Sequence, residues 1–88
     1  MSTIKDIILN ESVADVLTAL IPNSSYPRID RLYVDYKFDV IANGELVSTF
    51  QKLYEDGVFA TGENGHTIKG PNWREPSFVT SKKYATEE

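Results

Sequence analysis

The stretch from Glu45 to Lys69 constrains this chain more than any other. Leu46, Val47, Phe50, Leu53 and Tyr54 recur at helical spacing, Asn43 is a suitable N-cap, and Gly57 fits the left-handed residue that follows a helix end. Beyond it, Val58-Phe59-Ala60-Thr61 and His66-Thr67-Ile68-Lys69 flank Gly62-Glu63-Asn64-Gly65, which predicts a short β-hairpin with a four-residue loop. Helix, glycine, hairpin is the order of the second half of a winged-helix domain.

The segment before it admits two structures. Leu32, Val34, Tyr36, Phe38 and Val40 alternate as a half-buried strand would, and Asn43-Gly44 is a hairpin-turn dipeptide. Ile29, Leu32/Tyr33, Tyr36 and Val40 equally fit one face of a helix. If 29–41 is helical, Asn43-Gly44 becomes the turn of a helix-turn-helix and 58–69 is the wing. If it is a strand, the chain is a small antiparallel sheet with two helices. Because 45–55 reads as a helix, the favoured fold class is α+β: a small winged-helix-like domain, with N-terminal helices followed by a helix-turn-helix-like pair and a β-hairpin wing.

Upstream, the apolar stripe changes sides. At about 100° per residue, Ile4, Ile7 and Ile8 share one sector, whereas Val13, Val16, Leu17 and Leu20 lie roughly opposite. One straight helix cannot bury both, so a short element at 3–9 and a helix at 13–21 are expected, with Ser12 as N-cap and Asp15 three residues on. Pro22 and Asn23-Ser24-Ser25 end that helix, and Pro27 is expected to keep Tyr26 out of helical geometry. In the extended tail from Gly70 to Thr80, Trp73 and Phe78 are expected to dock on the body, since two prolines limit the freedom lost on ordering. Residues 85–88 are expected to fray.

With 88 residues and no cysteine, residues 1–88 form one domain that needs its own core, without disulfides or thiolate metal sites. The longest apolar run near the start, Ile7-Ile8-Leu9, is far short of the about 20 residues a membrane span needs, and a cytoplasmic protein is expected. The net charge of −4 is unevenly spread. Residues 30–63 set Arg31, Lys37 and Lys52 against Asp30, Asp35, Asp39, Glu45, Glu55, Asp56 and Glu63, a net −4, whereas the stretch before Glu87 is mildly basic.

Little points to catalysis. His66 stands alone in the hairpin, no metal-ligand spacing is present, and Gly62 and Gly65 bracket a glutamate that would repel an anion. No enzyme activity and no cofactor are expected. DNA binding suits a winged helix, but the helix that would read bases carries Lys52 against Glu45, Glu55 and Asp56. A small DNA-binding transcriptional regulator is therefore the alternative function. Of ten aromatics, the phenylalanines are assigned to the core, and Tyr33, Tyr36 and Trp73 are candidate contacts because desolvated aromatics are enriched at interface hot spots.

Phe38-Asp39-Val40-Ile41, then Leu-Val-Ser-Thr-Phe-Gln-Lys-Leu-Tyr-Glu-Asp-Gly-Val at 46–58, then Lys69-Gly70-Pro71-Asn72-Trp73-Arg74-Glu75-Pro76-Ser77-Phe78-Val79-Thr80 resemble the small immunity proteins encoded beside bacterial polymorphic or contact-dependent growth inhibition toxins. The resemblance covers about residues 38–84 and implies a non-catalytic cytoplasmic protein that binds and neutralises a cognate toxin domain. Many such toxins are nucleases with basic substrate sites, so the acidic segment would stand in for a phosphate backbone. Such proteins diverge most where they touch their toxins, and no family binding residue is carried over. The partner-binding residues expected from the sequence are Tyr33, Asp35, Tyr36, Asp39, Glu45, Glu55, Asp56 and Trp73, with a basic toxin domain as partner; they leave the oligomeric state open.

Overall fold

The two-sided apolar stripe at the N-terminus is resolved by a break. In the computed structural model, which describes residues 3–83, α1 (Thr3–Asn10) and α2 (Val13–Leu20) are separate helices. Ser12 adopts extended backbone and its hydroxyl accepts from the Asp15 N–H at 3.2 Å, the capping contact expected there. Turning the chain at this cap lets Ile7 and Ile8 of α1 and Val13, Val16 and Leu17 of α2 enter one core. A turn of 3-10 helix, Ile21–Asn23, follows at Pro22.

The ambiguous segment is helical. It forms α3 (Tyr26–Tyr36) and α4 (Phe38–Ala42), divided at Lys37, whose φ of −155° and ψ of 60° leave helical space. Burial explains the outcome: Ile29 and Tyr33, four apart, are both at most 1% exposed, whereas the alternating set leaves Val34, Tyr36 and Phe38 outside. The strand alternative is thereby excluded. Tyr26, expected to lie outside the helix, opens α3 instead. Pro27 falls in the first turn, where its missing N–H forfeits no intrahelical bond.

Asn43 Oδ1 accepts from the Glu45 N–H at 2.9 Å and starts α5 (Glu45–Glu55), although Gly44, with φ +78°, occupies the capping position itself. At the other end Gly57 has φ +82°; its N–H bonds Tyr54 O at 3.1 Å and the Val58 N–H bonds Leu53 O at 2.9 Å. This pair of reversed bonds is the Schellman arrangement that stops a helix on glycine. The chain then enters β1 (Phe59–Thr61) and returns as antiparallel β2 (Thr67–Lys69), with Phe59 opposite Lys69 and Thr61 opposite Thr67. The loop is one residue tighter than expected, because the Gly62 N–H still reaches His66 O at 2.7 Å. Gly65, at φ +80°, allows that tighter return.

The architecture is thus a small α+β domain of six helices and one two-stranded antiparallel sheet among the described residues. α2 packs on α5, α1 on α3, and α4 on both α3 and α5, while β2 lies against the 21–23 turn. Phe50 of α5 joins Tyr26 and Phe59, at ring-centroid distances of 4.6 and 5.8 Å, so the hairpin is held to the helices by aromatic contact. The last element is α6 (Ser77–Thr80). As expected, Phe78 is buried and Trp73 half-buried, its Nε1 donating to Thr18 O at 2.8 Å. The fraying expected at 85–88 lies outside the described residues. No helix among the described residues is long and apolar enough to cross a membrane.

Candidate functional site

The α3–α4–α5 corner carries most of the candidate contacts. α4 spans only five residues and packs on both α3 and α5, the Glu45 charge reaches Tyr33 near the end of α3, and Asp35, Asp39 and Glu45 are all exposed on this part of the chain. None of the three has an ion-pair partner among the described residues. Tyr36, 37% exposed, lies beside them with Lys5 Nζ at 5.7 Å from its ring centroid. Exposed carboxylates that form no ion pair among the described residues are available to cations from outside.

Glu55 and Asp56 are exposed too, but at the far end of α5, about 15 Å from Glu45 along the helix axis. The acidic residues therefore do not form one cluster. Asp56 is already matched by Lys52 at 3.8 Å, an i, i+4 pair in open solvent.

Two candidate residues point elsewhere. Tyr33 is fully buried, which removes it from any surface contact, and its hydroxyl has no hydrogen-bond partner among the described residues. Burial pushes its phenol well above the ordinary value near 10, and the negative charge of Glu45 adds to the shift. Trp73 spends its indole internally: Nε1 holds Thr18 O, and Lys69 Nζ lies 4.1 Å from the ring centroid. Thr18 in turn donates its hydroxyl to Ala14 O at 2.7 Å. Asn72 adds a second tie, its Nδ2 donating to Asp56 O at 2.8 Å and its N–H to Gly57 O at 2.9 Å. The Gly-Pro-Asn-Trp stretch thus fastens the tail to α2 and to the end of α5.

No protein-family model, curated protein or solved structure matches this chain. The candidate surface accordingly rests on its own geometry.

Phe38, assigned with the other phenylalanines to the core, is instead the most exposed large apolar side chain among the described residues, at 57%. Val34 and Val47, both more than two-fifths exposed, flank the same corner in sequence. A signal was present: relative to the helical face defined by Ile29, Tyr33 and Val40, Phe38 falls about 160° away. The strand-like alternation masked it, because alternation puts Phe38 and Val40 on one side.

Proposed function

We propose that this protein is an immunity protein, which captures a basic bacterial toxin domain through the α3–α4–α5 corner, with Phe38 and Tyr36 as apolar anchors and Asp35, Asp39 and Glu45 as the acidic rim. The observation that carries this reading is Phe38, an aromatic ring more than half exposed at the start of a short helix and bordered by unpaired carboxylates. Apolar centres surrounded by polar rims are the anatomy of protein interfaces. Negative rims favour encounter with positive partners. A nuclease is the toxin class that best fits such a surface, since its substrate site must attract phosphates.

The chain order supports a winged-helix-like arrangement: α3 and α5 joined through α4, then the β1–β2 hairpin with β2 against the 21–23 turn. In that arrangement α5 would be the helix that reads DNA. Its exposed charges are Glu45, Lys52, Glu55 and Asp56, which disfavour phosphate contact and support a protein partner instead.

Co-expression with the protein encoded directly upstream tests the proposal. A stable one-to-one complex is expected, weakened about tenfold or more by Phe38→Ala and by the double reversal Asp35→Lys/Asp39→Lys. Phe38→Ala is also expected to leave the melting temperature of the free protein nearly unchanged, because the ring is mostly in water. If the double reversal leaves both the complex and protection from the toxin intact, the acidic corner is not the interface.

A further inference from the structure

Two Asn-Gly dipeptides stand in this chain, Asn43-Gly44 and Asn64-Gly65, and the fold treats them differently. Asparagine before glycine is open to attack from within the chain. Its side-chain carbonyl carbon lies within ring-closing reach of the next backbone nitrogen, and glycine has no Cβ to obstruct the approach. Space does not separate the two sites: both glycines are left-handed, with φ of +78° and +80°, and a Cβ at either position would meet nothing within 4 Å. What differs is how firmly the reacting groups are held.

Asn43 is tied at both ends of the would-be ring. Its Oδ1 accepts from the Glu45 N–H at 2.9 Å, the contact that starts α5. Its own N–H bonds Asp39 O and the Gly44 N–H bonds Ile41 O, both at 3.1 Å, while Gly44 O accepts from the Ser48 N–H at 3.1 Å. Turning this peptide to bring the Gly44 nitrogen onto Asn43 Cγ would break the cap and pull on Leu46 of α5, which is 1% exposed. Asn64 has no such ties. It is exposed at the tip of the hairpin beside an exposed Gly65, and its side-chain amide forms no hydrogen bond among the described residues. The Gly65 N–H has one bond, to Gly62 O at 3.2 Å. The bond from the Gly62 N–H to His66 O closes the loop beneath, so the 64–65 peptide can turn while β1 and β2 stay paired.

We infer that Asn64 is a spontaneous deamidation site of the folded protein, and that the fold withholds Asn43 from the same reaction. The Gly65 nitrogen gives up its proton to solvent base and bonds to Asn64 Cγ; the Cγ–Nδ2 bond breaks and the nitrogen leaves, protonated, as ammonia. Water then opens the succinimide. Cleavage between Cγ and the ring nitrogen yields aspartate, and cleavage between the main-chain carbonyl carbon and that nitrogen yields isoaspartate. Either product adds a negative charge beside Glu63, and isoaspartate also lengthens the main chain at the tightest part of the hairpin. This inference is independent of the proposed function, although the protected asparagine borders the α3–α4–α5 corner.

The test follows the full chain by peptide mass mapping during incubation in mildly alkaline buffer, folded and, in parallel, unfolded in urea. In the folded chain Asn64 is expected to convert about tenfold faster than Asn43, because Asn43 must first release its cap. In urea the two rates should converge, since both sites are then plain Asn-Gly. Asn64→Gln, whose longer side chain would have to close a larger ring, should remove the main acidic species that accumulates in the folded parent. Equal rates in the folded chain, or faster conversion at Asn43, would overturn the inference. So would a preference for Asn64 that persists unchanged in urea, or an Asn64 that stays intact in the folded chain while the unfolded chain converts.

Discussion

The Tyr33 hydroxyl is buried between helices with no partner among the described residues, and such a group forfeits its hydration without return. Tyr33→Phe keeps the ring and removes the orphan oxygen. It is expected to raise the unfolding free energy by about 1 kcal/mol, measured by urea titration. The pH dependence carries the same signature. The folded-state phenol titrates above its unfolded value near 10, so this group leaves stability level below pH 10 and lowers it as the pH rises beyond, when only the unfolded chain releases the proton. In Tyr33→Phe the alkaline fall in stability should be shallower. A parent and variant with the same slope above pH 10 would show that Tyr33 has no such coupling. Tyr33 illustrates what sequence leaves out: its place on the Ile29 face was legible, but the depth of burial depends on how α1 and α4 pack against α3.

Local chemistry in the sequence was sufficient where one residue determines an element boundary. Ser12, Gly57 and the glycine-rich hairpin loop each act within a few residues; the first two are where the spacing places them, and the loop differs only by the pairing of Gly62 with His66. The helix-or-strand choice at 29–41 was not legible, because Leu32 to Val40 satisfies both periods and only tertiary burial of Ile29 and Tyr33 decides. The same ambiguity hid Phe38 from the candidate site, whereas the acidic residues around it were visible from composition alone. Gly57 offers a test at this scale. An alanine there would carry a positive φ, and its Cβ would press on the Asn72 amide that ties the tail to Asp56. Gly57→Ala is expected to cost about 1–2 kcal/mol. An unchanged thermal midpoint would mean that α5 can end without the left-handed residue.

Across the whole molecule, the hydrogen bond from Trp73 to Thr18 spans 55 positions in sequence, and the Lys83–Glu11 ion pair spans 72. The tail is therefore fastened at both α2 and the turn between α1 and α2. Trp73→Phe retains most of the apolar contact but loses the indole donor to Thr18 O, and a loss of about 1–2 kcal/mol is expected in denaturant unfolding. A variant as stable as the parent would show that packing alone seats the tail. Because Trp73 is the chain's single tryptophan, its emission is a private optical channel for tail docking. Comparing that signal with far-ultraviolet dichroism, which follows the helices, measures whether the last third of the chain opens by itself or only when the whole molecule unfolds.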